Sequence, residues 1–166
     1  AMLPTAPDLA HIALVGIGAT AVLDAWLWLL QGLGVPTGSF ALIGRWVGHL
    51  AHGQLRHAAI GRAARVPHEL LLGWLTHYGV GIAFAGLLVL VQGRAWLQAP
   101  ALLPAVLVGA ATVLMPLAVM QPAMGLGFAA SKTPAPNQNR LRSLANHTVF
   151  GLGLYLAAAL LAQALA

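Results

Sequence analysis

Of the 166 residues, 60% are hydrophobic and only 7% charged, with a mean hydropathy of +0.84; a soluble domain carries roughly 25% charged residues because its surface must face water. Eight Lys and Arg with three Asp and Glu cannot coat a soluble globule, so composition excludes one and points to a chain solvated by lipid. The net charge of +5 would suggest nucleic acid in a soluble protein. Here there is no basic tail and no aromatic–basic platform for stacking bases, so no nucleic-acid partner is expected, and the positive balance fits basic loops beside anionic lipid headgroups.

The first apolar stretch runs from about residue 9 to about 33, reaching the roughly 20 residues that a helix needs to cross the hydrocarbon core. No Lys or Arg precedes it, so no cleavable signal is expected. It contains Gly16-Ile17-Gly18-Ala19-Thr20-Ala21, a match to the dinucleotide fingerprint GxGxxA. That mechanism needs a strand before it, an amphipathic helix after it and an acid about 20 residues on. No acid lies between Asp24 and Glu69. The glycines therefore read as helix-packing positions, and no nucleotide cofactor is expected.

Residues 34–69 form a long, basic, histidine-rich connection. Arg45, His49, His52 and Arg56 fall on one helical stripe, with Leu42, Trp46 and Leu50 off it. The pattern predicts an amphipathic helix over about residues 40–57, lying at the membrane interface between the first and second spans. In one reading it is an anchor, with Trp46 at headgroup level. In a sharper one it is a lid, with Arg45 binding an anionic group and His49 joining a metal site. His52, His57 and His68 are expected to be solvated. His68-Glu69 begins like the zinc-protease motif HExxH, but Leu72 stands where the second histidine should be, so the two-ligand helix face is missing.

The second span is predicted over about 70–91 and the third, after a short turn at 92–101, over about 102–120. Pro116 should kink the third span. Met115, Met120 and Met124 read as gap-filling side chains, with soft ligation of Cu(I) as the alternative. Residues 121–143, rich in Gly, Pro and Asn, read as loop with room for a re-entrant piece. A fourth span follows over about 144–165, with Ser143 as its N-cap. The whole, residues 1–166, is predicted to be one all-α domain, a four-transmembrane-helix bundle.

Seven of the eight basic residues lie in the first and third connections and one, Arg94, in the second. Both long connections are therefore expected in the cytoplasm and both termini outside it. Close helix approach in lipid calls for small residues: Gly16, Gly18, Ala21, Gly79, Gly81, Ala85, Gly109, Gly151 and Gly153 offer them. Zero cysteines exclude disulfides and thiolate ligands.

Counted from the span ends, Asp24, His77, Gln121, Asn146 and His147 fall in the cytoplasmic half of the membrane. An ionisable group there is costly and normally faces the bundle interior. Asp24, His77 and His147, with His49 as a further candidate, could bind Zn²⁺ or Fe²⁺ with an open position for water or substrate. Arg45, His49, Gln121 and Asn146 would then line the substrate. The resulting hypothesis is a metal-dependent membrane enzyme acting on a lipid or small hydrophobic substrate. The plainer reading is a buried hydrogen bond, such as His77 to Asp24, that fixes helix register. Three further readings stay open: an oligomeric proton-coupled transporter using Asp24, a haem protein with His77 and His147 as axial ligands, and a structural subunit.

The blocks GIGATAVLDAW (16–26), GRWVGHLAHGQLRHAAI (44–60), LGWLTHYGVGIAFA (72–85) and MQPAMGLGFAASKTPAPNQNRLRSLANHTVFGLGLYLAA (120–158) together resemble a bacterial family, the domain of unknown function 2938. The resemblance implies a four-span architecture and an inner-membrane location, while membrane lipids are the partners expected from composition and charge. It implies no activity.

Overall fold

A computed structural model describes residues 6–164, and every regular element among them is helical. In chain order these are α1 (Ala6–Gly32), α2 (Phe40–Leu50), a 3-10 turn (Ile60–Arg62), α3 (Glu69–Gln92), α4 (Ala95–Gln98) and α5 (Leu102–Ala111). A π-helical stretch (Met115–Met120), α6 (Gln121–Ala123), a second 3-10 turn (Phe128–Ala130) and α7 (Pro136–Ala164) complete the chain. Four segments are long and apolar enough to cross a membrane: Pro7–Gly32, Glu69–Gln92, Leu102–Ala123 and Pro136–Ala164. Only 22–33% of their most apolar windows is buried, and large apolar side chains such as Leu90 (75% exposed) and Leu160 (67%) point outward. Helices that satisfy their own backbone and turn leucines outward are built for lipid.

Three expectations need correction. The helix of the first connection ends at Leu50, because the chain turns through Gly53 at φ +79°; the stripe is thereby cut to Arg45 and His49. The third span carries a change of helical register, with Met115–Met120 π-helical. Pro116 lacks an N–H and crowds the preceding turn, which a π segment accommodates. The fourth span begins at Pro136, a residue suited to a first helical turn. Asn139 donates to Thr133 Oγ1 at 2.8 Å just outside that turn. Ser143 therefore sits inside α7 and caps nothing.

Contacts divide the chain into two compact units: residues 1–35, 78–112 and 145–166, and residues 36–77 and 113–144. In the first, α1, the later parts of α3 and α7, and α5 pack as a four-helix bundle. Its core joins Val15 and Ala19 to Leu88, Ala105, Phe150 and Leu154, with α4 adding Trp96 and Leu97. The helices touch through glycines. A Cβ on Gly16 would lie 2.5 Å from Ile82 Cα, one on Gly18 2.8 Å from the Ala157 Cβ, and one on Gly153 2.8 Å from the Ala19 carbonyl. Gly109 and Gly151 meet backbone to backbone. The fingerprint glycines thus serve two different helix contacts. Gly79 and Ala21, by contrast, are exposed. At the end of this unit Arg94 pairs with Asp8 at 2.8 Å.

The second unit is organised around an ion pair. Arg45 Nε and Nη2 donate to Glu69 Oε2 and Oε1 at 2.8 and 2.9 Å, a bidentate geometry. Its Nη1 faces the carbonyls of Ile60, Gly61 and Ala63, each at 3.3 Å. The Glu69 carboxylate raises the Arg45 guanidinium further above its ordinary value. α2 reaches the start of α3 only because Gly44 lies against the Glu69 carbonyl and Gly73 against that of Phe40. The apolar face of α2 is covered within the unit, Trp46 packing with Ile60 and Met124 and donating its indole N–H to the Leu55 carbonyl at 3.2 Å.

Two outcomes follow for detergent-solubilised protein. Gly109→Ala and Gly151→Ala should each lower unfolding stability by about 1–3 kcal/mol through overpacking. Gly79→Ala, with nothing within 4 Å, should gain about 0.5–1 kcal/mol by restricting the chain; equal effects at all three sites would refute the contacts. Arg45→Met or Glu69→Leu alone should deplete the monodisperse fraction in size-exclusion chromatography, because one charge is left without its partner. The double substitution should restore part of that fraction, and additive losses would refute the mutual dependence.

Candidate functional site

Inside the first unit, three polar contacts join all four helices of the bundle. Tyr78 on α3 donates its hydroxyl to Asp24 Oδ2 on α1 at 2.8 Å. Trp26 on α1 donates its indole N–H to Asn146 Oδ1 on α7 at 3.0 Å. Thr112, which ends α5, lies 2.7 Å from His147 Nδ1 on α7. Asp24 and Thr112 are 7% and 5% exposed, so this is an internal polar layer in the later part of α1. Thr20, one turn before Asp24, is also buried and satisfies its hydroxyl on the Gly16 carbonyl at 2.8 Å.

The chemistry of Thr112 fixes that of His147. A hydroxyl has one proton, and Thr112 Oγ1 lies 2.5 Å from the Gly109 carbonyl, which can only accept. The proton is used there, so His147 Nδ1 carries its own proton and donates to Thr112. In the neutral imidazole Nε2 is then the lone-pair nitrogen, held in one orientation by a neighbour, as proton-transfer and ligating histidines are. Phe84 stands beside the ring, 6.3 Å between centroids.

Of the expected site residues, Asp24, Asn146 and His147 share this layer. Arg45, His49, His77 and Gln121 belong to the second unit. There the His77 ring stacks near Phe40, 4.6 Å between centroids, and Trp74, 5.9 Å. Arg45 is engaged by Glu69 and three carbonyls as described, and His49 Nε2 meets the Ala64 carbonyl at 2.9 Å. Gln121 is 8% exposed; its amide donates a long 3.5 Å bond to Ser143, and its Oε1 is buried without a partner. Among the described residues no group of three His, Cys, Asp or Glu is placed to hold a metal ion. The expected metal set of Asp24, His77 and His147, with or without His49, therefore has no support in the geometry.

Four residues that matter here carry no motif. Tyr78 and Thr112 are single polar groups in apolar runs, and only packing pairs them with Asp24 and His147. Trp26 looks like a lipid-facing aromatic. Glu69 had a usable signal, as the only acid between residues 25 and 166 beside a basic connection. The expectation that His57 is solvated is wrong: it is 9% exposed, and neither ring nitrogen has a partner.

The family described as Protein of unknown function (DUF2938) matches residues 13–161, a stretch that includes every residue of the polar layer and of the Arg45–Glu69 pair. No curated protein and no solved structure matches the chain. With four segments long and apolar enough to cross a membrane, an all-helical fold among the described residues and a match over most of its length, the chain belongs to the DUF2938 family of proteins of unknown function.

Proposed function

We propose that this membrane protein is a small proton-coupled carrier in which Asp24 takes up and releases the proton. The observation that carries the reading is the 2.8 Å contact between Tyr78 and Asp24 inside the bundle. A carboxylate within a membrane span is a site by default, and a phenol is a partner suited to both of its states. Tyr78 donates to the charged form; when Asp24 is protonated, the same hydroxyl oxygen can accept from it. The contact thus survives a proton's arrival with its polarity reversed. His147, with Nε2 as its lone-pair nitrogen, is a second proton acceptor in the same layer, and Asn146 supplies a polar wall. A metal-dependent enzyme or a haem protein would need a ligand set for which no comparable observation speaks.

On this reading the protein lies in the bacterial inner membrane with both termini outside the cytoplasm, and four spans per chain favour a homo-oligomer. The chain lacks cysteine, so single cysteines report topology directly. Cysteines at Lys132 and Arg142 should label only from the cytoplasmic side, and one at Gln98 only from the other. The reverse pattern would refute the orientation.

Proton exchange is measured in proteoliposomes holding an internal pH dye, together with infrared difference spectra between acid and alkaline pH. With three acidic side chains in the sequence, the protonated-carboxyl band of Asp24 is assignable by its loss in Asp24→Asn. The same variant should slow gradient-driven proton flux by about 100-fold or more, the usual worth of a positioned proton-transfer group. Tyr78→Phe should shift the band and cost about 1 kcal/mol of stability. Flux and spectra unchanged by Asp24→Asn would end the proposal.

A further inference from the structure

The second unit buries an imidazole with nothing to bind. His57 is nine-tenths buried, and both Nδ1 and Nε2 lack hydrogen-bond partners. Its backbone is fixed: the His57 amide donates to the Ala123 carbonyl at 2.8 Å and the Ile60 amide to that of Met124 at 3.0 Å. Gly125, at φ +89°, comes so close to Ala58 and to the His57 carbonyl that no side chain fits. A donor nitrogen left unsatisfied is costly, and the backbone that carries this ring is held by those contacts. A group held at that cost, in one place, is poised for a ligand.

Two residues indicate which ligand. The His49 ring lies across that of His57, 4.8 Å between centroids. Its Nε2 faces the Ala64 carbonyl at 2.9 Å, and a carbonyl only accepts, so Nε2 carries the proton and Nδ1 is the bare nitrogen. An imidazole oriented by an N–H to a backbone carbonyl is the usual arrangement of a metal-ligating histidine. The second candidate is Met124, placed by the backbone: the Ala123 carbonyl before it accepts from the His57 amide and its own carbonyl from the Ile60 amide. It is 4% exposed and packs with Trp46 and Ile60. Met120, on the preceding turn, packs against the same cluster.

Charge selects the ion. The unit holds Arg45, Arg56, Arg62, Arg65, Lys132, Arg140 and Arg142 against Glu69 alone, and Glu69 is already bonded to Arg45. No carboxylate remains to offset a divalent cation beside His57. Imidazole and thioether together suit a soft ion of low charge. We propose that His49, His57 and Met124 form a binding site for Cu(I), with His49, half-buried, as the point of entry. This site lies in a different unit from the proton-handling layer and stands or falls separately from that reading.

The full chain in detergent, free of cysteine thiols that would compete, is titrated anaerobically with Cu(I) against a chromophoric Cu(I) chelator. The expected result is one Cu(I) per chain with mixed nitrogen and sulfur ligation in X-ray absorption. His57→Ala and Met124→Leu should each weaken binding by about 10–100-fold or more, at least the loss seen when only outer-shell support is removed. Met115→Leu, at a 39% exposed position, should leave it unchanged. If His57→Ala fails to fold, His49→Gln and the volume-conserving Met124→Leu carry the test. The site is overturned by absence of stoichiometric Cu(I) binding, by affinity indifferent to these substitutions, or by binding of Zn²⁺ with none of Cu(I).

Discussion

Lipid gives helices no reason to come together, since a leucine is as well solvated by acyl chains as by another helix. Everything in the first unit depends on that constraint. Association has to come from close van der Waals contact and from polar groups that lipid cannot satisfy, and the chain supplies both in separate tiers. The glycine contacts Gly16–Ile82, Gly153–Ala19 and Gly109–Gly151 bring backbones to a separation that any side chain would prevent. At that separation the short side chains of Asp24, Asn146 and Thr112 can reach a neighbouring helix. The polar layer is a consequence of the glycines, since a wider spacing would leave these groups unpaired at a cost of several kcal/mol each.

The second unit meets a different problem, that of holding irregular backbone together. Residues 51–68 contain only one short helical turn, and loops carry backbone groups that need partners. Arg45 answers this with one side chain, which collects three carbonyls of the 60–63 segment while gripping the first residue of α3. A planar, permanently charged guanidinium can do this, and the single ammonium of lysine cannot. The glycines recur here too, with Gly44 and Gly73 setting the distance over which Arg45 has to reach.

The spans were legible because their requirement is crude: about 20 apolar residues, a count that tolerates errors of a few positions. Asp24, Asn146 and His147 were legible for the same reason, as polar groups where polarity is expensive. What the pattern could not disclose was partnership. Tyr78 and His77 are adjacent, and choosing which faces α1 requires the rotation of α3, which is set by Gly16 lying on Ile82. The stripe Arg45–His49–His52–Arg56 was misleading in its second half because a helical period continues on paper past the left-handed Gly53, where the chain does not. The polar run NQNRLRS resembles a loop by composition, yet after Pro136 it is made largely of residues that tolerate a helix, and α7 simply continues through it. His57 was missed because nothing in a sequence distinguishes a solvated histidine from one walled in by a glycine turn sixty-eight residues later.

The uneven distribution of charge has an energetic consequence in a membrane. Seven cations and one anion in the second unit give it +6, while Arg94 with Asp8 and Asp24 leaves the first at −1, the sum being the +5 of the chain. Each elementary charge moved across a membrane potential of 100 mV is worth about 2.3 kcal/mol. Carrying a net six charges to the opposite leaflet therefore costs on the order of 14 kcal/mol per 100 mV. Any orientation of the chain in a bilayer has to accommodate that segregation of charge.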